Sequence, residues 1–153
     1  MSGAPDDSPR ALQGRPNARN FSVEDLIAAV QAGRVRIPKF QRPLKWELAD
    51  VLSLLDSIYR GYPVGTLLLW LRPAGEDDIY HGSVQIKAPA VADALWVVDG
   101  QQRIVSLTRA LTGAGFPGEP FAAFFDLRLG TFVRPPRRDA PPSHYLPLTE
   151  VLD

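Results

Sequence analysis

The segment Asp99-Gly-Gln-Gln-Arg103 has the residue types and the spacing best suited to binding an anion. It follows an apolar run of strand length and precedes a helical pattern, so it marks a junction between a strand and a helix. The first amides of a helix are unpaired and carry partial positive charge, which favours phosphate or carboxylate ligands. Gly100 has no side chain to block such a ligand, and Arg103 can donate two parallel hydrogen bonds to a phosphate.

The remaining side chains of this segment suit nucleotide chemistry or a purely structural role. Asp99 could hold a magnesium ion or a ribose hydroxyl, and Gln101 or Gln102 could orient a water molecule or bind a base. The spacing is equally compatible with a helix cap, in which Asp99 accepts from the first turn and Gln102 completes the arrangement. The segment matches neither the P-loop nor the GxGxxG turn.

A second candidate is Gln41-Arg42, which has a proline on each side and the aromatic residues Phe40 and Trp46 nearby. Prolines keep such a segment extended or turned, and a rigid loop presents a guanidinium with little loss of entropy. A simpler interpretation of these residues alone is that both aromatics anchor the core and Arg42 pairs with a surface carboxylate.

The elements that position these segments follow from apolar periodicity and from glycine and proline signals. Ser22 and Asp25 resemble a capping box that opens a helix ending at Gly33. Further helices are predicted over residues 47–60 and from the Asp99–Arg103 junction to Gly113. Strands are predicted over residues 35–37, 66–71, 84–86 and 95–98, with a hairpin over 121–127 and 131–133. The runs 66–71 and 95–98 are continuously apolar, which predicts burial on both faces.

The 153 residues predict one hydrophobic core and an α/β (α+β) fold class. Residues 1–20 contain few large apolar side chains and are predicted to form a flexible leader. The folded domain then spans residues 21–133. Residues 134–153 form a loop rich in proline and arginine and then the start of a further helix over 148–152, as expected of a fragment.

Composition excludes several classes of protein. The 17 basic and 17 acidic residues leave no net charge, which argues against a general clamp on nucleic-acid backbone. The absence of cysteine excludes disulfides, zinc–thiolate sites and cysteine nucleophiles. His81 and His144 are predicted to lie in loops without a role, and Asp77-Asp78 to be a solvated pair. No apolar run approaches the roughly 20 residues of a membrane span, so a cytoplasmic protein is expected.

Three blocks of sequence resemble the N-terminal domain of GmrSD-type restriction systems, a family also known as domain of unknown function 262. They are Ile37-Pro-Lys-Phe-Gln-Arg42 with Trp46, Gly61-Tyr-Pro-Val-Gly65, and Val98-Asp-Gly-Gln-Gln-Arg-Ile104 with Leu107. The resemblance extends over residues 21–133, and the order of the blocks makes it specific.

The resemblance implies a small mixed sheet with packed helices, similar to ParB and sulfiredoxin, in which these blocks face one cleft. It implies binding and hydrolysis of a nucleoside triphosphate with Mg²⁺, coupled to the restriction of modified phage DNA in bacteria. By position, the implied nucleotide-binding residues are Gln41, Arg42, Gly100 and Arg103. The implied catalytic residues are Asp99, Gln101, Gln102 and Arg103, and Asp99 is also the implied metal ligand.

The chain departs from the family pattern in one respect, because no HNH-type nuclease motif surrounds either histidine. A nuclease would have to be supplied elsewhere in the system. Two other hypotheses remain open at this point. One is a non-enzymatic DNA-binding or protein-interaction module that grips a backbone phosphate in the same cleft, and the other is an inert fragment.

Overall fold

The structure, a computed structural model, describes residues 16–39 and 42–152 and contains both helices and strands. This confirms the α/β (α+β) class. The described helices are α1 (Val23–Gln31), α2 (Leu48–Tyr59) and α3 (Gln101–Thr112). The strands are β1 (Val35–Arg36), β2 (Leu68–Ala74), β3 (Asp77–His81), β4 (Val84–Ala88), β5 (Val91–Asp99), β6 (Phe124–Asp126), β7 (Thr131–Val133) and β8 (Tyr145–Pro147). Most of the predicted leader, like Phe40 and Gln41, lies outside the described residues.

The starts of the helices follow local capping chemistry in two cases and depart from it in the third. The Ser22 hydroxyl accepts from the Asp25 amide (3.0 Å), as the sequence predicts for α1. The amide of Glu47 donates to the Asp50 carboxylate (2.8 Å) at the start of α2. At α3 the N-cap is Gly100, with no capping side chain. The interpretation of Asp99 as the helix cap is therefore wrong, because the strand continues through Asp99.

Strand β5 is the centre of the largest sheet, with order β1-β5-β2. Strand β1 pairs with β5 in parallel and β2 pairs with it antiparallel. Strands β3 and β4 form a hairpin, and β7-β6-β8 form a third sheet that continues past residue 133. The core between these elements is aliphatic. Its most deeply buried side chains include Ile27, Val30, Val35, Val51, Val97 and Ile104.

The prediction that residues 66–71 are buried on both faces is wrong. Leu68, Trp70 and Leu71 are 57%, 51% and 61% exposed. Strand β2 is an edge strand, and within the described residues it pairs with β5 alone. The guanidinium of Arg72 lies over the Trp70 ring, 4.6 Å from its centroid, and shields one face of the indole.

Two stretches contain more structure than their sequence indicates. Residues 77–88 form the whole β3–β4 hairpin, and His81 is a buried strand residue rather than a loop residue. Strand β8 was not predicted, and the helix expected over 148–152 is a short 3₁₀ turn, Leu148–Glu150. Strand β8 depends on pairing with the distant strand β6, whereas β3 and β4 pair locally but carry mixed polar and apolar residues that gave no clear strand pattern.

A buried polar cluster joins the β3–β4 hairpin to the end of α3. The Glu119 carboxylate is fully buried and pairs with Arg109 (Nη2 to Oε1, 2.7 Å). It also accepts from the Phe121 amide (3.0 Å) and from the Ser83 hydroxyl. Burial alone raises the pKa of Glu119, but these hydrogen bonds and the charge of Arg109 outweigh it and hold the pKa below its usual range.

His81, beside this cluster, predicts how stability depends on pH. Burial, and then the positive charge of Arg109, lower the pKa of His81. The folded protein therefore keeps His81 neutral, while the unfolded chain takes up a proton below about pH 6.5. The stabilising contribution is present above that pH and is lost as the pH falls toward the lower pKa of the folded state.

Urea denaturation between pH 8 and pH 5 measures this contribution. Below about pH 6.5 the free energy of unfolding should fall by up to about 1.4 kcal/mol per pH unit on account of His81. The His81→Gln variant should lack that slope, whereas His144→Gln should retain it because His81 is still present. An unchanged slope in His81→Gln would contradict the prediction.

Candidate functional site

The site is built around the turn between β5 and α3. Gly100 adopts a left-handed conformation (φ +101°) that lets the chain leave the sheet and enter the helix at once. A Cβ atom at this position would clash with Cδ2 of Leu67, so the end of that side chain would have to move. The positive φ is the main reason that glycine is favoured here. The predicted contact between Gly100 and a nucleotide stays a prediction.

Gln102 binds the segment that follows Arg42. Its Oε1 accepts from the backbone amides of Lys45 (2.8 Å) and Trp46 (3.1 Å). Its Nε2 donates to the carbonyl oxygen of Pro43 (3.2 Å). The carboxamide thus has three hydrogen bonds, all to main-chain atoms of one short segment.

Arg103 binds the segment between α2 and β2. Its Nη1 donates to the carbonyl oxygens of Val64 (3.0 Å) and Thr66 (2.9 Å). Gly65 lies between these two carbonyls with φ +84°, and a Cβ atom there would approach Nη1 to 2.8 Å. The sequence indicated only that Gly65 is a turn that could line a cleft. The positive φ favours glycine in this turn, and the bound guanidinium of Arg103 leaves little room for a Cβ atom.

These contacts bring the three sequence blocks together at the N-terminus of α3. Gln102 reaches partners 56 to 59 positions away, and Arg103 reaches partners 37 and 39 positions away. Arg42 is adjacent to Pro43, whose carbonyl binds Gln102, so the loop of Arg42 lies beside the start of the helix. Gln41 lies outside the described residues.

Several polar groups at this junction have no partner among the residues that the structure describes. The side chains of Arg42, Asp99 and Gln101, and the Nε and Nη2 atoms of Arg103, form no hydrogen bond or ion pair with any residue of 16–39 or 42–152. Arg42 and Asp99 are exposed, and Gln101 is half-buried. The surface carboxylate expected as a partner of Arg42 is therefore not found there. The hydrogen-bond donors of Arg42, Gln101 and Arg103 and the carboxylate of Asp99 are therefore available to a ligand.

The donor chemistry of this junction suits a metal ion that brings most of its own ligands. Within the described part of the chain, no group of three histidine, aspartate or glutamate side chains lies close enough to bind one. Mg²⁺ commonly takes one or two protein carboxylates and completes its shell with water and substrate phosphates. Asp99 fits as that single carboxylate, so these residues suit an ion that arrives with a polyphosphate.

A groove of about 360 Å³ lies at the opposite end of α3, lined by Gln31, Ser83 and Thr112 among others. The Ser83 hydroxyl in its lining already donates to Glu119 and accepts from the Ala114 amide. The groove shares no lining residue with the 99–103 segment. Sequence analysis missed the buried cluster around Glu119 because its partners Arg109 and Ser83 are 10 and 36 positions away and follow no local pattern.

None of the helices described within residues 16–39 and 42–152 combines the length and apolar character needed to cross a membrane.

Comparison with known proteins gives one family and one curated relative. A family model described as the GmrSD restriction endonuclease, N-terminal domain, matches residues 23–144. An uncharacterized protein of Methanocaldococcus jannaschii is 29% identical over 120 residues, which cover 67% of this chain and 20% of the relative. The chain thus spans about a fifth of the length of that relative. No solved structure matches the chain, so the expected likeness to ParB and sulfiredoxin stays a prediction.

Proposed function

Because the chain belongs to the family of GmrSD restriction endonuclease N-terminal domains, we propose that it binds and hydrolyses a nucleoside triphosphate at the N-terminus of α3. In this proposal the domain is the sensor of a modification-dependent, anti-phage restriction system. Nucleotide turnover would be coupled there to recognition of modified phage DNA. The nuclease would lie in another domain or in a companion chain.

The observation that carries the proposal is the convergence of unpartnered polar groups on one helix end. The first-turn amides of α3 have no capping side chain. Arg42 directly precedes Pro43, which Gln102 binds. Arg103 lies in the first turn with Nε and Nη2 unpartnered among the described residues, and Asp99 directly precedes the N-cap. Phosphates match this arrangement because backbone amides and arginines both donate to anionic oxygens.

The expected affinity is modest. A helix terminus contributes about 0.3–1 kcal/mol, and each charged hydrogen bond about 1.5–3 kcal/mol. Two arginines and the terminus together reach about 3–7 kcal/mol before the cost of association, which corresponds to millimolar to micromolar dissociation constants. Contacts to the base or to a metal ion would account for anything tighter.

Hydrolysis at such a site depends on positioning and on charge stabilisation. Arg42 and Arg103 would hold the phosphates in place and stabilise the negative charge that develops during phosphoryl transfer. Gln101, whose carboxamide is unpartnered, would orient the attacking water. Asp99 would hold Mg²⁺, which supplies neutralising charge when bound.

Phosphate release from each nucleoside triphosphate, with and without Mg²⁺, tests the proposal. Arg42→Ala should lower the rate at least about tenfold, the loss expected for one charged hydrogen bond to phosphate. Because Arg42 is exposed and makes no described hydrogen bond, the fold should be unaffected. Arg137→Ala, which also removes an exposed arginine, is the matched control and should keep the wild-type rate.

Equal rates in the wild type and Arg42→Ala would refute the enzymatic role. Salt-dependent binding of DNA without any turnover of nucleotide would instead favour the non-enzymatic module. Unfolding that responds to no nucleotide and no DNA would favour an inert fragment.

A further inference from the structure

We infer that Gln102 is a positioning residue, which acts on the ligand only through the segment that carries Arg42. This inference rests on the proposed function and assigns Gln102 a role different from that of its neighbour Gln101. The side chain of Gln101 is free to contact a ligand, whereas that of Gln102 is bound to the protein. Of the two adjacent glutamines, Gln101 would contact the ligand and Gln102 would position the segment that carries Arg42.

The hydrogen bonds of Gln102 carry this inference. Its carboxamide accepts from two consecutive amides, Lys45 and Trp46, and donates to the carbonyl of Pro43. All three partners are main-chain atoms, so the contacts fix the path of the chain whatever side chains it carries. A carboxamide has two donor hydrogens and one oxygen acceptor, so most of its capacity is used here.

The segment 42–47 depends on hydrogen bonds from elsewhere in the chain because it forms no helix or strand. It contains no regular secondary structure, and α2 begins only at Leu48. Pro43 has no amide hydrogen to donate. The side chains of Leu44 and Trp46 are half-buried and pack against the core. Gln102 adds hydrogen bonds to the main chain of Pro43, Lys45 and Trp46, which fix the path of the backbone next to Arg42.

The consequence for a ligand is preorganisation of Arg42. Ordering a flexible arginine on binding costs conformational entropy, which lowers affinity. A segment that is already held by Gln102 has lost part of that freedom before the ligand arrives. Removing the carboxamide should therefore weaken binding by roughly tenfold, and only while Arg42 is present to benefit.

Hydrogen exchange of the Lys45 and Trp46 amides tests the positioning role without any nucleotide. In Gln102→Ala both amides should exchange at least about fivefold faster, because their acceptor is lost. Gln101→Ala is the matched control, since it removes the neighbouring glutamine and leaves both acceptors in place. Gln102→Glu keeps an acceptor for both amides and should largely restore their protection. Unchanged exchange of both amides in Gln102→Ala would overturn the inference.

A double-mutant cycle tests whether Gln102 acts through Arg42. Calorimetric titration with a triphosphate and Mg²⁺ should show weaker binding for Gln102→Ala than for wild type. In the Arg42→Ala background the same substitution should have no further effect. Fully additive losses would overturn the inference, because Gln102 would then contact the ligand directly. Failure of the wild type to bind any triphosphate would refute the proposed function, and the exchange experiment would still decide whether Gln102 holds the segment.

Discussion

Replacing Arg103 with alanine is expected to lower nucleotide hydrolysis at least about 100-fold, because two functions of one guanidinium are lost together. Nη1 holds the carbonyls of Val64 and Thr66. Nε and Nη2 have no partner among the described residues, and in the proposed function they donate to phosphate. Each charged hydrogen bond is worth about 1.5–3 kcal/mol, so the loss of two to phosphate corresponds to a factor of about 10² or more.

Phosphate release measured beside circular dichroism separates this loss from unfolding. Arg103→Lys should be intermediate, because an ammonium keeps the charge but cannot reproduce the planar fork that serves the carbonyls and a phosphate together. Arg128→Ala removes an exposed arginine from the β6–β7 turn and should leave the rate unchanged. A rate for folded Arg103→Ala equal to that of wild type would contradict the assignment of Arg103 to the site.

Replacing Glu119 with alanine is expected to lower the free energy of unfolding by about 3–5 kcal/mol, the usual cost of breaking a buried ion pair from one side. The carboxylate is fully buried, and Arg109 is only 14% exposed. Without Glu119 the guanidinium keeps its charge but loses its counter-ion. The Ser83 hydroxyl and the Phe121 amide also lose their acceptor. Small domains have only about 5–15 kcal/mol of stability in total.

Urea denaturation gives the size of this effect. Glu119→Gln keeps a carbonyl acceptor and should be less damaging than Glu119→Ala, which allows a measurement if the alanine variant does not fold. Glu76→Ala removes an exposed glutamate from the β2–β3 turn and should change stability by less than about 0.5 kcal/mol. A loss of similar size in Glu119→Ala and Glu76→Ala would show that the buried cluster does not stabilise the fold.

The elements held by local interactions were predictable from the sequence. The Ser22 cap, the three helices and the β6–β7 hairpin form as expected, because their stabilising contacts lie within a few residues. The junction at residues 99–103 was also predictable, since an apolar strand, a glycine and an amphipathic helix follow one another there. Three short blocks of sequence were enough to indicate the family, because their residue types and their order are distinctive.

Other features depended on partners distant in the chain. Apolar composition predicted burial of residues 66–71, but an edge position in the sheet leaves Trp70 and Leu71 exposed. His81 was predicted to lie in a loop, yet it is buried beside Arg109 in strand β3. The local sequence cannot predict the exposure of Trp70 and Leu71 or the burial of His81, because strand order and the packing of distant segments determine both.

The sequence by itself determined which residues carry charge and amide groups near the start of α3, but it left open whether Asp99 caps this helix, and the structure places the N-cap at Gly100. Only the tertiary structure decided how Gln102 and Arg103 are used. Their side chains bind main-chain atoms 37 to 59 positions away, and such carbonyls and amides are the same at every residue of the sequence. Only the folding of the chain brings particular carbonyls and amides within hydrogen-bonding distance of Gln102 and Arg103. The tertiary structure therefore distinguishes the polar groups that bind the protein from those that have no partner among the described residues.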